Sequence, residues 1–485
     1  MSDHKSLFKH SRNYFFATIA TRALAFVSIP VYTRLLTVEE YGVVGVFMSL
    51  IGIISVLLTL DSDVAISRYY YDAKDEEDFK EFVGTNIRLS SIIFALTSFI
   101  FIALLPFLAK AMSFPKLLVV CFIPVSLYEI LHRMFESIYQ PLLQSKKIAI
   151  VSSAKAYLAF GISAVFMLLM KDEKYYGYVF GNIAAMLVMG SYMVGQIKKY
   201  YKRAYKKEHI KYIFNYCLPY IPYTLSGVLL SQFSRIFIGN NQGFALAGSY
   251  TLTTNIAALM LIVIGITHNA WNPYYFQYMT DRDYKSVNND YNLIWRCTIV
   301  GAFFIAAFGY ELALILSKGD DYLETLRVLP PLVVGFILYQ WAYVYLRNTG
   351  FAKRNIWNAY CVIGSGVANV LLNAILVPYY QETGAAIATF SSYLVLLVLS
   401  YLTNRFVIKE YVPRLWFFVK PFLVSLPFFF IISIVYWIDL GFITSLIIKI
   451  VLCLVVSIVM LLPYKEQAMS FASQIIGKNG KKHDE

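Results

Sequence analysis

The chain has 485 residues, of which 59% are hydrophobic and only 15% are charged, and its formal net charge is +13. Soluble proteins carry about 25% charged residues, so this composition excludes an ordinary soluble domain and predicts an all-α polytopic membrane protein. Basic loops on the inner side of a membrane explain the positive charge, and no nucleic-acid partner is expected.

About fourteen apolar runs approach the roughly 20 residues that a helix needs to cross a bilayer. They lie near residues 13–36, 40–60, 82–106, 116–139, 148–170, 176–197, 212–238, 247–271, 291–316, 325–347, 355–377, 383–406, 415–437 and 442–463. The connections between them are short, which leaves no room for a soluble catalytic domain.

Lys and Arg are concentrated in alternate connections. With the N-terminus in the cytoplasm, about 27 of the 42 basic residues fall in cytoplasmic segments, and an even helix count returns the C-terminus to the same side. The acidic connection "DAKDEEDFKE" (72–81) departs from this pattern and is expected to be a solvated hairpin.

The most basic connection, "KKYYKRAYKKEHIK", follows the sixth predicted helix and divides the first twelve helices into two groups of six. An even-numbered repeat predicts parallel lobes related by a pseudo-two-fold axis along the membrane normal, with a central cavity. Asn13 precedes Arg34 in the first half, Asn215 precedes Arg235 at a similar spacing in the second, and "EEYG" and "AGSY" follow them. The predicted divisions are an N-terminal lobe 1–197, a linker 198–211, a C-terminal lobe 212–406, two helices in 407–463 and a cytoplasmic tail 464–485.

Several cationic side chains lie inside the predicted helices, where they are costly unless they face a polar interior. Arg22 is about nine residues into the first helix, roughly 13 Å deep, which is too far for its side chain to reach the headgroups. We expect Arg22 to line a polar cavity, whereas Lys449, in the last helix, is expected to extend to the headgroups. Two locations, a polar cavity and the headgroup region, stay open for the side chains of Arg88, Lys155, Arg235 and Arg296.

Four ionisable residues share one face of the fourth predicted helix, in "YEILHRMFESIYQ". Glu129, His132, Arg133 and Glu136 follow the spacing i, i+3, i+4 and i+7. Two interpretations stay open. The residues form a self-neutralising ladder, with Arg133 between the two glutamates, or they line a vestibule facing the cytoplasm. Glu129 and His132 are the candidate proton carriers.

Motifs for catalysis or cofactor binding are weak. Asp61 and Asp63 in "DSD" resemble the acid pair of metal-dependent glycosyltransferases, but no nucleotide-binding domain accompanies them. The sequence contains no phosphate-binding glycine loop, so no ATP, metal ion, cofactor or catalytic residue is predicted. Cations outnumber acids within the helices, which by itself indicates a carrier for an organic anion, because arginine pairs well with phosphate.

The first half contains "IPVYTRLLTVEEYGVVGVFMSL" and "DVAISRYYYD", and the second contains "YCLPYIPYTLSG", "SRIFIG", "GSYTLTTNIAALM" and "AWNPYYF". The order of these motifs resembles that of the Wzx-type bacterial polysaccharide flippases, which belong to the multidrug/oligosaccharidyl-lipid/polysaccharide (MOP) exporter superfamily. Ser234 stands where that family often has an acid, which puts an ion-pair role of Arg235 in doubt. The residues of the first half that match are Pro30, Arg34, Glu40–Gly42, Ala65, Arg68 and Tyr69.

This resemblance implies a flippase of the bacterial inner membrane that translocates undecaprenyl-diphosphate-linked oligosaccharides by alternating access, for surface polysaccharides such as O-antigen. It implies the lipid-linked glycan, membrane lipid and the polysaccharide polymerase machinery as partners. The residues implied to bind the diphosphate and the glycan acids are Arg22, Arg88 and Lys155 in one lobe and Arg235 and Arg296 in the other.

Three other classes are weighed against a flippase. An organic-cation antiporter of the same superfamily needs buried acids, and the helices favour the opposite charge. A polymerase or ligase usually has a large outer loop, and the predicted outer connections are short. A non-transporting assembly scaffold is the third. The antiporter is the alternative that we retain.

Overall fold

The computed structural model describes residues 24, 26–413, 415–438 and 441–464, and every regular element there is helical. Helix α1 covers 26–35. The further α-helices are α2 Val38–Thr59, α3 Val64–Tyr69, α4 Glu76–Ala103, α5 Leu105–Ala111, α6 Lys116–Tyr139, α7 Ser145–Leu169, α8 Tyr175–Ala185, α9 Ser191–Ile197, α10 Lys207–Gln242, α11 Phe244–Ala257, α12 Met260–Thr280, α13 Tyr284–Leu316, α14 Leu329–Phe351, α15 Ile356–Leu402, α16 Trp416–Trp437 and α17 Phe442–Leu461.

Eleven helical segments in the described part of the chain are long and apolar enough to cross a membrane. The prediction of an all-α polytopic membrane protein is therefore confirmed, but the count of fourteen is not. Half of the first predicted run lies outside the described residues, and α10 is not one of the eleven. The runs 355–377 and 383–406 lie in one segment, Ile356–Ile408, which is interrupted at Gln381 by a backbone φ of 48°.

The described residues form two compact units. Unit 1 extends to Gly248 and includes Leu316–Lys318, and unit 2 contains Ser249–Ile315 and the residues from Gly319 onward. The division into lobes 1–197 and 212–406 stays a prediction.

Helix α2 of unit 1 begins at a capping box. The Glu40 backbone N–H donates to the Thr37 hydroxyl over 3.2 Å, and the Thr37 N–H donates to the Glu40 carboxylate over 2.9 Å. These bonds satisfy backbone donors that a helix start leaves free. The same carboxylate accepts from the backbone N–H of Lys174 over 2.6 Å, so the cap also joins the start of α2 to the start of α8.

Two glycines allow α2 and the first turn of α11 to approach closely within unit 1. A Cβ atom on Gly42 would lie 1.8 Å from the carbonyl oxygen of Phe244, and one on Gly248 would lie 1.9 Å from the carbonyl oxygen of Val38. These are the glycines of "EEYG" and "AGSY", so the two similar motifs meet at a backbone contact that only glycine permits.

Gly42→Ala is expected to lower the thermal unfolding midpoint of the detergent-solubilised protein. The new methyl group would force the backbones apart, at a cost of about 1–3 kcal/mol or more. Gly227→Ala in α10 is the matched control, because a Cβ there has no neighbour within 4 Å and alanine favours a helix by up to about 1 kcal/mol. Equal midpoints for Gly42→Ala and the unmodified protein would contradict the close contact.

The acidic segment 72–81 connects α3 to α4, and half of its residues are exposed, as expected for a solvated connection, but it also forms ion pairs. Its second half forms the first turns of α4, where Glu77 and Glu81 bind Lys202 Nζ over 2.5 and 2.9 Å, and Glu81 also pairs with Lys206. The hydrogen bonds to Glu77 and Glu81 raise the pKa of Lys202 above its usual range. Asp78, in the same turns, lies 3.3 Å from His209 Nε2. Opposite charges therefore fasten the basic segment to α4.

Unit 2 has an aromatic core formed by helices α13, α14 and α16. Trp295 packs against both Trp341 and Phe418, with ring centroids 5.4 and 5.5 Å away, and its indole N–H donates to the Phe418 carbonyl over 3.0 Å. Next to this core, Asn348 Nδ2 donates to Asn404 Oδ1 over 2.7 Å. Buried amides in this unit thus join one helix to another.

Candidate functional site

A cluster of charged side chains follows one face of α6 in unit 1. The guanidinium of Arg133 has three partners in this cluster. NH1 lies 3.5 Å from Asp61 Oδ1, Nε lies 3.6 Å from Asp63 Oδ2, and NH2 donates to the Ser55 carbonyl over 3.2 Å. The Thr224 hydroxyl of α10 donates to Asp61 Oδ2 over 2.8 Å. The cluster therefore links α6 to the turn after α2 and to α10.

The aspartates occupy a strained turn. Leu60 and Asp61 have φ values of 51° and 53°, a left-handed conformation that costs energy for residues with a Cβ. Burial raises the pKa of Asp63 to about 6, while the Arg133 guanidinium opposes that rise. Both carboxylates are directed at an arginine, and within the described ranges no three His, Cys, Asp or Glu side chains are grouped as metal ligands would be.

The other members of the cluster have partners on α7. Lys155 Nζ lies 2.7 Å from Glu129 Oε2. The Ser152 hydroxyl donates to Glu136 Oε1 over 3.1 Å and lies 2.9 Å from His132 Nε2. The structure thus brings Glu129, His132 and Lys155 together. The ladder with Arg133 between the two glutamates is not formed in the described part of the chain, because Arg133 pairs with Asp61 and Asp63 instead. One contact within α6 remains, between His132 Nε2 and Glu136 Oε1 over 3.6 Å.

Two other predicted cations of unit 1, Arg88 and Arg235, have contacts with other side chains. Arg22 is outside the described residues. Arg88 is exposed, with its guanidinium carbon 5.2 Å from the centre of the Tyr205 ring. Arg235 NH1 donates to Gln232 Oε1 over 3.4 Å, and the same amide oxygen accepts from the Ser49 hydroxyl of α2 over 3.1 Å.

Arg296, in unit 2, contacts the last described turn of the chain. Its Nε donates to Asn292 Oδ1 over 2.9 Å, and NH1 donates to the Met460 carbonyl over 3.2 Å. The guanidinium also lies over the Tyr464 ring, 4.4 Å from its centre. Arg296 therefore joins α13 to the C-terminal end of α17.

Lys449 does not extend to the headgroups, and that prediction is wrong. Its side chain is 3% exposed, and Nζ lies 2.7 Å from Glu311 Oε1. The rings of Tyr310 and Tyr436 flank the ammonium group, with centres 5.5 and 5.4 Å away. The partly buried carboxylate of Glu311 on α13 therefore serves as the partner of this ammonium group in place of water.

Sequence reasoning missed the buried Arg347 of α14, although it ends the predicted apolar run 325–347 as "YLRNTG". The fully buried carboxylates among the described residues, Asp61, Asp63 and Glu382, all pair with arginines, the last with Arg327. Arg347 is only 8% exposed and has no carboxylate within 4.0 Å in the described part of the chain. Among the described residues, the buried carboxylates thus have counter-charges, whereas the buried guanidinium of Arg347 does not.

Residues 9–279 match the family described as polysaccharide biosynthesis protein. The Lsg locus putative protein 1 of Haemophilus influenzae is 22% identical over 286 residues, which cover 56% of this chain and 66% of that protein, just under two thirds of its length.

The fold is similar to that of the lipid II flippase MurJ in its inward closed conformation. The TM-score is 0.67 at 16% identity, and the match covers 92% of this chain and 98% of that one. An inward-facing multidrug resistance MATE transporter of the MOP superfamily gives a TM-score of 0.60 at 17% identity, with 80% and 94% covered. The predicted resemblance is confirmed: this chain is a multi-pass membrane protein whose fold is similar to those of MurJ and of a MATE transporter of the MOP superfamily, and it belongs to the polysaccharide biosynthesis protein family.

Proposed function

We propose that this protein translocates undecaprenyl-diphosphate-linked oligosaccharides from the inner to the outer leaflet of the bacterial cytoplasmic membrane, by alternating access. The family match over residues 9–279 carries the proposal. The likeness of the fold to a lipid II flippase supports it, since that protein's name denotes transfer of a lipid-linked substrate. No catalytic step is proposed.

The excess of cations over acids within the predicted helices supports an anionic substrate. Moving a diphosphate out of water is prohibitive unless cations replace its hydration. We propose that Arg22, Arg88 and Lys155 in one lobe and Arg235 and Arg296 in the other supply that charge. Among these, Lys155 is held by Glu129 over 2.7 Å, so an anionic glycan group would exchange with Glu129 for the lysine.

We propose that the α6 cluster lies at a vestibule on the cytoplasmic side, with both chain termini in the cytoplasm. Glu129 and His132 are the proposed proton carriers, and Arg133 is the fixed charge beside them.

The polysaccharide polymerase machinery would receive the translocated units. The lobes 1–197 and 212–406, joined by 198–211, are the proposed moving bodies, with helices in 407–463 and the tail 464–485 following them.

An organic-cation antiporter is the second candidate, because a multidrug transporter has the same fold with a TM-score of 0.60. Such a carrier needs a buried carboxylate that is available to its substrate. The buried carboxylates Asp61, Asp63 and Glu382 are already paired with arginines. This pairing favours the flippase.

Deletion of the gene tests the proposed function. The expected result is loss of surface polysaccharide, with completed lipid-linked units accumulating on the cytoplasmic leaflet, where a membrane-impermeant glycosidase added to intact spheroplasts cannot reach them. Re-expression of the unmodified protein should restore export. Short units exposed on the outer leaflet would contradict the flippase and indicate a polymerisation step. Unchanged glycan with greater sensitivity to cationic drugs would indicate the antiporter.

A further inference from the structure

Arg347 of α14 lies in an aromatic box inside unit 2. Its guanidinium carbon is 5.2, 5.5 and 5.4 Å from the ring centres of Trp271, Tyr275 and Tyr343. The side chain is 8% exposed, and neither NH1 nor NH2 has a hydrogen-bond partner among the residues that the structure describes. Within the described part of unit 2, Arg347 is therefore a buried cation with two unsatisfied donor atoms.

The aromatic rings do not remove that anomaly. Ring faces attract a cation, but the N–H groups of a guanidinium lie in its plane and still need acceptors. The nearby acid, Asp290, accepts from the Trp271 indole over 3.0 Å and makes no ion pair with Arg347 within 4.0 Å. By contrast, Arg133 of unit 1 faces two aspartates. A buried cation left without a counter-charge is strongly destabilising, so an acceptor from outside the described side chains is needed.

We propose that the Arg347 box binds a monovalent inorganic anion, of which chloride is the biological example. The NH1 and NH2 atoms donate to it. We propose Tyr291 as a third donor: its ring packs on Trp271 and Tyr275 with centroids 4.1 and 6.0 Å apart, and its buried hydroxyl has no hydrogen-bond partner in the described part of the chain. A single guanidinium neutralises one charge. A phosphate dianion would leave negative charge buried among aromatic rings, which excludes it as the preferred ligand.

An anion bound in this box would connect helices α12, α13 and α14 of unit 2. Trp271 comes from α12, Tyr291 from α13 and Arg347 from α14. Because a ligand that binds only the folded state stabilises it, unit 2 should unfold at a higher temperature when the anion is present. This inference is independent of the glycolipid proposed as substrate.

The test uses the full-length protein in detergent, without glycolipid, at constant ionic strength. Replacing sodium gluconate by sodium chloride should raise the unfolding midpoint by about 3–5 °C. Sodium bromide, a heavy-atom quencher of indole, should reduce tryptophan fluorescence saturably, and chloride should compete with it. Trp271→Phe keeps an aromatic ring and should remove the saturable component of that quenching.

Arg347→Met should abolish both halide effects. Arg354→Met is the matched control, because this exposed arginine of the same unit donates to the Val407 carbonyl over 3.1 Å, and both effects should persist there. If Arg347→Met does not fold, the unmodified protein and Trp271→Phe still decide the question. Linear quenching with no chloride-dependent midpoint would overturn the proposal, as would a larger stabilisation by sodium phosphate than by chloride.

Discussion

Arg22→Ala is expected to abolish export of the glycan while the protein still accumulates in the membrane. Arg22 is about nine residues into the first predicted helix, too deep for its side chain to reach water. Its charge is therefore the one most dependent on an anionic partner inside the protein. Losing a hydrogen bond to a charged group costs about 1.5–3 kcal/mol, so binding of the diphosphate should weaken by about 10- to 100-fold.

Surface glycan, normalised to the amount of protein in the membrane fraction, is the measurement. Arg22→Lys keeps the charge but not the bidentate geometry, so partial export is expected. Arg354→Ala, which removes an exposed arginine, should export normally. Normal surface glycan in Arg22→Ala at equal expression would exclude a substrate-binding role for Arg22.

Arg133→Met should destabilise unit 1 by about 3–5 kcal/mol, because it leaves two buried aspartates without their cation. Asp61 and Asp63 are 2% and 3% exposed, and Arg133 lies 3.5 and 3.6 Å from them. The measurement is thermal unfolding of the detergent-solubilised protein, together with its yield in the membrane. Arg68→Met is the matched control: Arg68 pairs with Asp72 at the surface, where an ion pair contributes at most about 1 kcal/mol.

A triple variant separates charge from packing. Combining Arg133→Met with Asp61→Asn and Asp63→Asn removes the buried charges together, and we expect most of the lost stability to return. If Arg133→Met unfolds at the same temperature as the unmodified protein, the ion pairs of Arg133 with Asp61 and Asp63 contribute nothing to stability, which would contradict the prediction. If the triple variant stays as unstable as Arg133→Met, hydrogen bonds other than the charge pairing hold the turn.

The fold class was predictable because hydropathy acts locally: about 20 apolar residues must be buried in lipid or protein wherever they occur. Partners of buried charges are not local. Lys449 was expected to reach the headgroups because it lies in a terminal helix outside the two predicted lobes, yet its partner Glu311 is 138 positions earlier in the chain. Helical spacing likewise predicted glutamate partners for Arg133, whereas the structure supplies aspartates from the turn after α2. Arg347 was missed because an arginine at the end of an apolar run resembles an ordinary helix terminus.

The contact between α4 and the basic segment changes what the lysines of that segment do. A polybasic loop next to a membrane usually attracts anionic headgroups, by about 1 kcal/mol for each Lys or Arg near the surface. Lys202 and Lys206 instead bind Glu77 and Glu81. Because these pairs are exposed, dissolved ions screen them. The attachment of the segment should therefore depend on ionic strength more than on the lipid composition of the membrane.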